Sequence, residues 1–137
     1  MNFRRLVNFP KNSLCNRLHS FSIKNVTKKH CDRIDVTLAS NASQIIVWLE
    51  KNIYGKRDIF KSVGLDVEWK PNKKNQINNK VALIQISTNS SVLLIQMNKL
   101  KTIPQPLFDL IVSKDILKVG VGILDDLAKL KVSMKHL

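Results

Sequence analysis

The sequence predicts an α/β domain built on a sheet of mixed strand direction, preceded by a basic tail. Three observations predict it. Short apolar runs, alternating or uninterrupted, occur at 34–38, 63–69, 81–86, 92–95 and 117–121. Apolar residues at helical spacing occur after Asn41, after Pro106 and after Gly122. The order also matters: three strand runs follow one another, and then come a helix, a strand and a helix. Strands joined by short turns pair antiparallel, whereas a strand returning through a helix pairs parallel, so the two directions mix.

The tail comes first in the chain. Residues 1–31 hold Arg4, Arg5, Lys11, Arg17, Lys24, Lys28 and Lys29 and no acid. Ser13, Ser20 and Ser22 are interspersed, and Leu14, Leu18 and Phe21 fall on one helical face beside Arg17. That is the composition of a mitochondrial transit peptide. No uninterrupted apolar core follows the Arg pair, which excludes a secretory signal. A basic arm touching nucleic acid has the same composition. The expectation is a tail over 1–31 with mitochondrial residence, nuclear or cytoplasmic residence being the alternative, and a folded part over 32–137.

Of the net charge of +13, the tail supplies seven basic residues; the other sixteen face all ten acids, a balance of +6. At 137 residues, 44% of them hydrophobic, the chain has room for one domain with an ordinary core. No apolar run is long enough to span a bilayer. Cys15 and Cys31 stand sixteen apart, a spacing that suits neither a zinc knuckle nor a redox pair, and His19, His30 and His136 are scattered.

Each element has a local reason. Ile34-Asp-Val-Thr-Leu38 reads as a short strand. Asn41 and Gln44 form a capping box for a helix whose buried face is Ile45, Trp48, Leu49 and Ile53, and Gly55-Lys-Arg57 breaks it. The strand Val63–Trp69 follows, then the polar loop KPNKKNQINNK (70–80), then Val81–Ile86, too continuously apolar for an exposed strand. Ser87–Ser91 turns the chain into Val92–Ile95. Pro106 suits a first helical position, with Leu107, Leu110 and Ile111 inward. Leu117–Val121 makes a last strand that passes through Gly122 into the helix ILDDLAKLK.

Within VGLDVEW (63–69) the apolar residues alternate, and Asp66 and Glu68 share the other face of the strand. Like charges that close repel, and burial aggravates the repulsion. In the last helix Asp126 lies a turn from Ile123 and Leu130 and leans toward the sheet, whereas Asp125 leans outward. Three converging carboxylates without histidine or cysteine make a hard oxygen site suited to Mg²⁺ or Mn²⁺. A divalent cation would neutralise the repulsion; a solvated strand end is the alternative for the pair alone.

VGLDVEW (63–69), NKVALIQIST (79–88) and LKVGVGILDDLAKL (117–130) together resemble the DEDD superfamily of 3′–5′ exonucleases, above all the Werner-helicase exonuclease domain and ribonuclease D. The resemblance runs over about residues 34 to 131, with the blocks in the family's order. It implies a ribonuclease-H-like fold and two-metal hydrolysis of nucleic acid from a free 3′ end, releasing 5′-mononucleotides. Carried over by position, Asp66 would bridge two metals, Glu68 would bind the one that activates water, and Asp126 would help hold the second. Leu65 and Trp69 would wall the site, and Gln85 matches a family position or is a satisfied polar residue. Lys70, Lys73, Lys74 and Lys80 flank the acids and are candidates for guiding the phosphate backbone.

The family's third motif, Tyr-x-x-x-Asp or His-x-x-x-x-Asp, belongs on a helix beyond residue 130. The chain's one tyrosine, Tyr54, lies upstream of the first motif, out of that order. The resemblance therefore implies the N-terminal portion of an exonuclease domain, with a sheet incomplete at its C-terminal side. Two functions follow: a metal-dependent 3′–5′ exonuclease, or an inactive relative that binds nucleic acid or a protein partner. Gly120-Val-Gly122 lacks the third glycine and the later acid of a dinucleotide site, which sets that fold aside.

Overall fold

A computed structural model of the chain describes residues 19–27, 30–56, 62–71 and 78–134. Among the described residues six strands form one sheet: β1 (His19–Thr27), β2 (His30–Ala39), β3 (Ser62–Trp69), β4 (Val81–Ser87), β5 (Ser91–Gln96) and β6 (Leu117–Val119). Their spatial order is β1-β2-β5-β4-β3-β6. The three consecutive strands β3, β4 and β5 pair antiparallel, β2 joins β5 in parallel, and β6 joins β3 in parallel. The mixed directions expected from the order of elements are thus present. Helices α1 (Ala42–Asn52), α2 (Gln105–Val112) and α3 (Ile123–Met134) complete the described elements.

At the N-terminal side the sheet takes in part of the basic stretch. β1 pairs antiparallel with β2 from His19↔Leu38 to Thr27↔His30, so the sheet reaches back across the boundary at residue 31. Phe21, assigned to a helical face by its spacing from Leu14 and Leu18, lies on a strand; Leu14 and Leu18 are outside the described residues. The stretch also alternates Phe21 and Ile23 with Ser20, Ser22 and Lys24. With β2 within reach as a partner, this period-two pattern prevails over the helical one.

The helices take the boundaries that local chemistry suggests. Asn41 Oδ1 accepts a hydrogen bond from the Gln44 backbone N–H at 3.0 Å, and Gln44 Oε1 accepts from the Ser40 N–H at 2.8 Å. This is a capping box with its return bond displaced by one residue. Ile45, Trp48, Leu49 and Ile53 are all buried, as their spacing predicts. They pack with Val63, Leu65 and Val67 of β3, Ile84 and Ile86 of β4, and Leu107 and Leu110 of α2 in a single core that also takes in Leu130 of α3.

β6 is shorter than the sequence suggests, ending at Val119 rather than Val121. It is also the edge of the sheet, and Leu117, Val119, Val121 and Leu124 are exposed along it. An edge strand with apolar neighbours offers unpaired backbone and dry surface to a further strand or helix.

Candidate active site

Alternation along β3 buries Val63, Leu65 and Val67 and leaves Asp66 and Glu68 exposed on the opposite face. Asp66 stands across from Gln85 on β4, and Gln85 Nε2 donates to Asp66 Oδ2 at 2.8 Å. Gln85 is therefore more than a tolerated polar residue on an apolar strand. It holds the Asp66 carboxylate in one orientation through one of its two oxygens.

The third carboxylate arrives on α3. Gly122 adopts φ +74°, a left-handed conformation that favours glycine, and its carbonyl accepts from Asp125 N at 2.9 Å and Asp126 N at 3.2 Å. The helix begun in this way turns Asp126 inward, where it is 6% exposed, and leaves Asp125 exposed. Helical spacing had distinguished the two in the same sense. Burial raises the Asp126 pKa above the ordinary aspartate value, and the negative charges of Asp66, Asp125 and Glu68 raise it further. Asp126 Oδ2 is buried with no hydrogen-bond partner.

A dehydrated carboxylate among other carboxylates, with an orphaned oxygen, is a costly arrangement unless a cation joins it. The all-oxygen donor set and that orphaned atom fit a hard divalent ion. Among the described residues no three Asp, Glu, His or Cys side chains stand close enough together to enclose one ion.

The neighbourhood is shaped by a slip in strand register. Glu68 pairs with Leu83 but Trp69 pairs with Val81, so Ala82 is an extra residue on β4 directly beside the acidic strand end. The Val81 N–H donates instead to the buried Ser133 Oγ of α3 at 3.0 Å. Lys129 Nζ lies 5.1 Å from the Trp69 ring centroid and also donates to Asn78 Oδ1. Asn79 Nδ2 donates to the carbonyls of Lys70 and Pro71, at 3.0 and 3.3 Å, which closes the neck of the loop. Lys70 and Lys80 are exposed at that neck; Lys73 and Lys74 lie outside the described residues. Leu65 belongs to the buried core, and Trp69 is half-buried against it.

Tyr54 has an acid at the third-motif spacing, since Asp58 follows it by four residues, although both precede the first motif. Its hydroxyl donates to the Pro106 carbonyl at 2.6 Å, a tie between the turn after α1 and the start of α2. Asp58 lies outside the described residues.

Comparison with known proteins identifies relatives of the chain. A family model described as 3′–5′ exonuclease matches residues 48–137. The chain is 35% identical over 100 residues to the putative 3′–5′ exonuclease R431 of Acanthamoeba polyphaga mimivirus, covering 72% of this chain and 24% of that protein. It is 41% identical over 69 residues to a 3′–5′ exonuclease of Arabidopsis thaliana, covering 50% of this chain and 24% of that one. The crystal structure of the EXD2 exonuclease domain, soaked in Mn and GMP, matches with a TM-score of 0.61 at 28% identity, over 73% of this chain and 50% of that one. Escherichia coli RNase D shares the fold, with a TM-score of 0.54 at 20% identity over 69% of this chain and 24% of that one. The chain thus spans 24% of the curated relatives and 50% of the EXD2 chain. The ribonuclease-H-like fold implied by the three sequence blocks is the fold observed, and the chain belongs to the DEDD-type 3′–5′ exonuclease family.

Proposed function

We propose that Asp66, Glu68 and Asp126 form a divalent-metal centre that hydrolyses phosphodiester bonds at the 3′ end of a nucleic acid. The observation that carries this reading is Asp126, a 6% exposed carboxylate with an unpartnered oxygen in the field of Asp66 and Glu68. Mg²⁺ or Mn²⁺ would be held by those three side chains. Bound there, the ions supply an activated water and neutralise charge on the departing 3′-oxygen. Gln85 keeps Asp66 turned toward the site through its 2.8 Å hydrogen bond. Lys70 and Lys80, with Lys73 and Lys74 between them, draw in the phosphate backbone, and a 5′-mononucleotide is released. The EXD2 domain soaked in Mn and GMP is a relative consistent with divalent ions and a mononucleotide product.

The test is a 3′-labelled oligonucleotide incubated with the protein and Mn²⁺ or Mg²⁺. Labelled mononucleotide is expected, and Asp66→Ala is expected to lower its release more than about 100-fold, beyond what outer partners of metal sites contribute. Strand binding without release, unchanged by Asp66→Ala, would instead favour a second reading: an inactive relative that binds nucleic acid or a protein. The observation on that side is that no three acids, among the described residues, enclose a single ion.

We further propose mitochondrial residence, on the strength of the acid-free, Arg-, Lys- and Ser-bearing first 31 residues. A fluorescent reporter fused behind those residues is expected in mitochondria; finding it only in cytosol or nucleus overturns the proposal.

A further inference from the structure

The face of α3 that carries Asp126 carries more than a ligand. Residues 126, 129, 130 and 133 lie on one side of the helix, three, four and seven positions apart. Leu130 is fully buried, and Ser133 accepts the Val81 N–H, so the far half of α3 is anchored. The near half is held by Ile123 and Leu127, which are partly buried against the core. It follows a three-residue edge strand and the segment Gly120-Val-Gly122, where Val121 is 99% exposed and Leu124 is 80% exposed. It also carries a buried aspartate repelled by Asp66 and Glu68 of β3.

Lys129 adds a polar tie to that apolar hold. A lysine on a helix surface ordinarily stays hydrated and samples many rotamers. Lys129 instead meets two partners on two other segments: the ring of Trp69, the residue after Glu68, and the amide oxygen of Asn78. It sits one helical turn beyond Asp126, an axial rise of about 4.5 Å.

We infer that Lys129 is a positioning residue of the metal centre: seated on Trp69 and tied to Asn78, it pins the first turns of α3 to the end of β3 and sets the separation between Asp126 and the Asp66–Glu68 pair. This rests on the metal site proposed above. Lys129 touches neither ion nor substrate in this role; its effect reaches the site through the placement of Asp126.

The test is calorimetric titration of the full chain with MnCl₂, at a temperature where circular dichroism shows every variant folded. Wild type is expected to take up Mn²⁺ and Asp66→Ala to take up none. Lys129→Ala is expected to bind about tenfold more weakly, as when an outer partner of a metal ligand is lost. Lys129→Arg keeps a cation for the ring and a donor for Asn78, and is expected to bind within about twofold of wild type. Should Lys129→Ala fail to fold, Asn78→Ala removes the hydrogen bond alone and is expected to weaken Mn²⁺ binding about threefold. Wild-type affinity in Lys129→Ala, with only its melting temperature lowered, would make the residue merely structural and overturn the inference. So would failure of Arg to restore binding in a variant that melts like wild type. Absence of Mn²⁺ uptake by wild type would remove the metal site itself and the inference with it, a result distinct from the other two.

Discussion

Asp126→Asn is expected to stabilise the metal-free protein at neutral pH while abolishing its stabilisation by Mn²⁺. The Asp126 carboxylate is buried, faces three negative neighbours and leaves Oδ2 unpartnered. Replacing it with a neutral amide of nearly the same shape removes the repulsion. The amide still has polar atoms to satisfy, so the net gain is smaller than the full cost of an unpaired buried group, about 1 kcal/mol. One effect works the other way. Asp126 lies in the first turn of α3, where the helix dipole favours a negative charge by about 0.3–1 kcal/mol. Burial and the three neighbouring carboxylates act in the opposite sense and raise the pKa.

The pH dependence follows from the same direction. The folded state holds the Asp126 proton more tightly than the unfolded chain does, so protonation favours folding. This contribution is fully present below the ordinary aspartate pKa and is lost as pH rises through the raised folded value. The advantage of Asp126→Asn over wild type is therefore largest at neutral pH and shrinks on acidification. Melting curves in EDTA at pH 7.5 and pH 5 check this, with a rise of roughly 3–4 °C expected at the higher pH. A fall in melting temperature at pH 7.5 would show that Asp126 has a stabilising partner in the native protein.

Gly120→Ala is expected to be strongly destabilising and to disconnect the helical carboxylate from the other two. A Cβ at this position would stand 2.3 Å from the Leu65 carbonyl oxygen and 3.5 Å from its carbonyl carbon. The obstacle is the backbone of β3, one residue from Asp66, so no side-chain rotation relieves it. β6 has three residues, and it is the element that yields. A cost of about 2–3 kcal/mol is expected for overpacking of this kind. Because α3 begins three residues later, Mn²⁺ uptake should fall along with the melting temperature. Gly122→Ala is the control: nothing lies within 4 Å of its Cβ, and the strain of φ +74° alone should cost about 1–2 kcal/mol. Equal melting temperatures for Gly120→Ala and wild type would mean that β6 does not need its close approach to β3.

Most of the candidate site was legible one residue at a time. A period of two places Asp66 and Glu68 on one face of β3, and a period of 3.6 turns Asp126 inward and Asp125 outward, whichever elements lie nearby. Gln85 was visible as a polar residue on an apolar strand, but its role depends on the antiparallel register that sets it opposite Asp66. Lys129 carried no signal, since a lysine at a helical surface position is what an exposed helix ordinarily shows. β1 was hidden by a basic, acid-free composition that resembles a tail more than a strand; it forms because β2 can pair with it along its length.

The sequence by itself determined the kinds of element, the faces they bury and the charge each would present, because these depend on periods of two and 3.6 residues and on local capping. Which distant pieces meet was decided only by tertiary structure. The slip at Glu68 and Trp69, the Gln85–Asp66 bond and the seating of Lys129 on Trp69 all join segments far apart in the chain. Strand order and register have no local code: they emerge when the whole core closes, and with them the approach of a helical carboxylate to a strand that lies far from it in the chain.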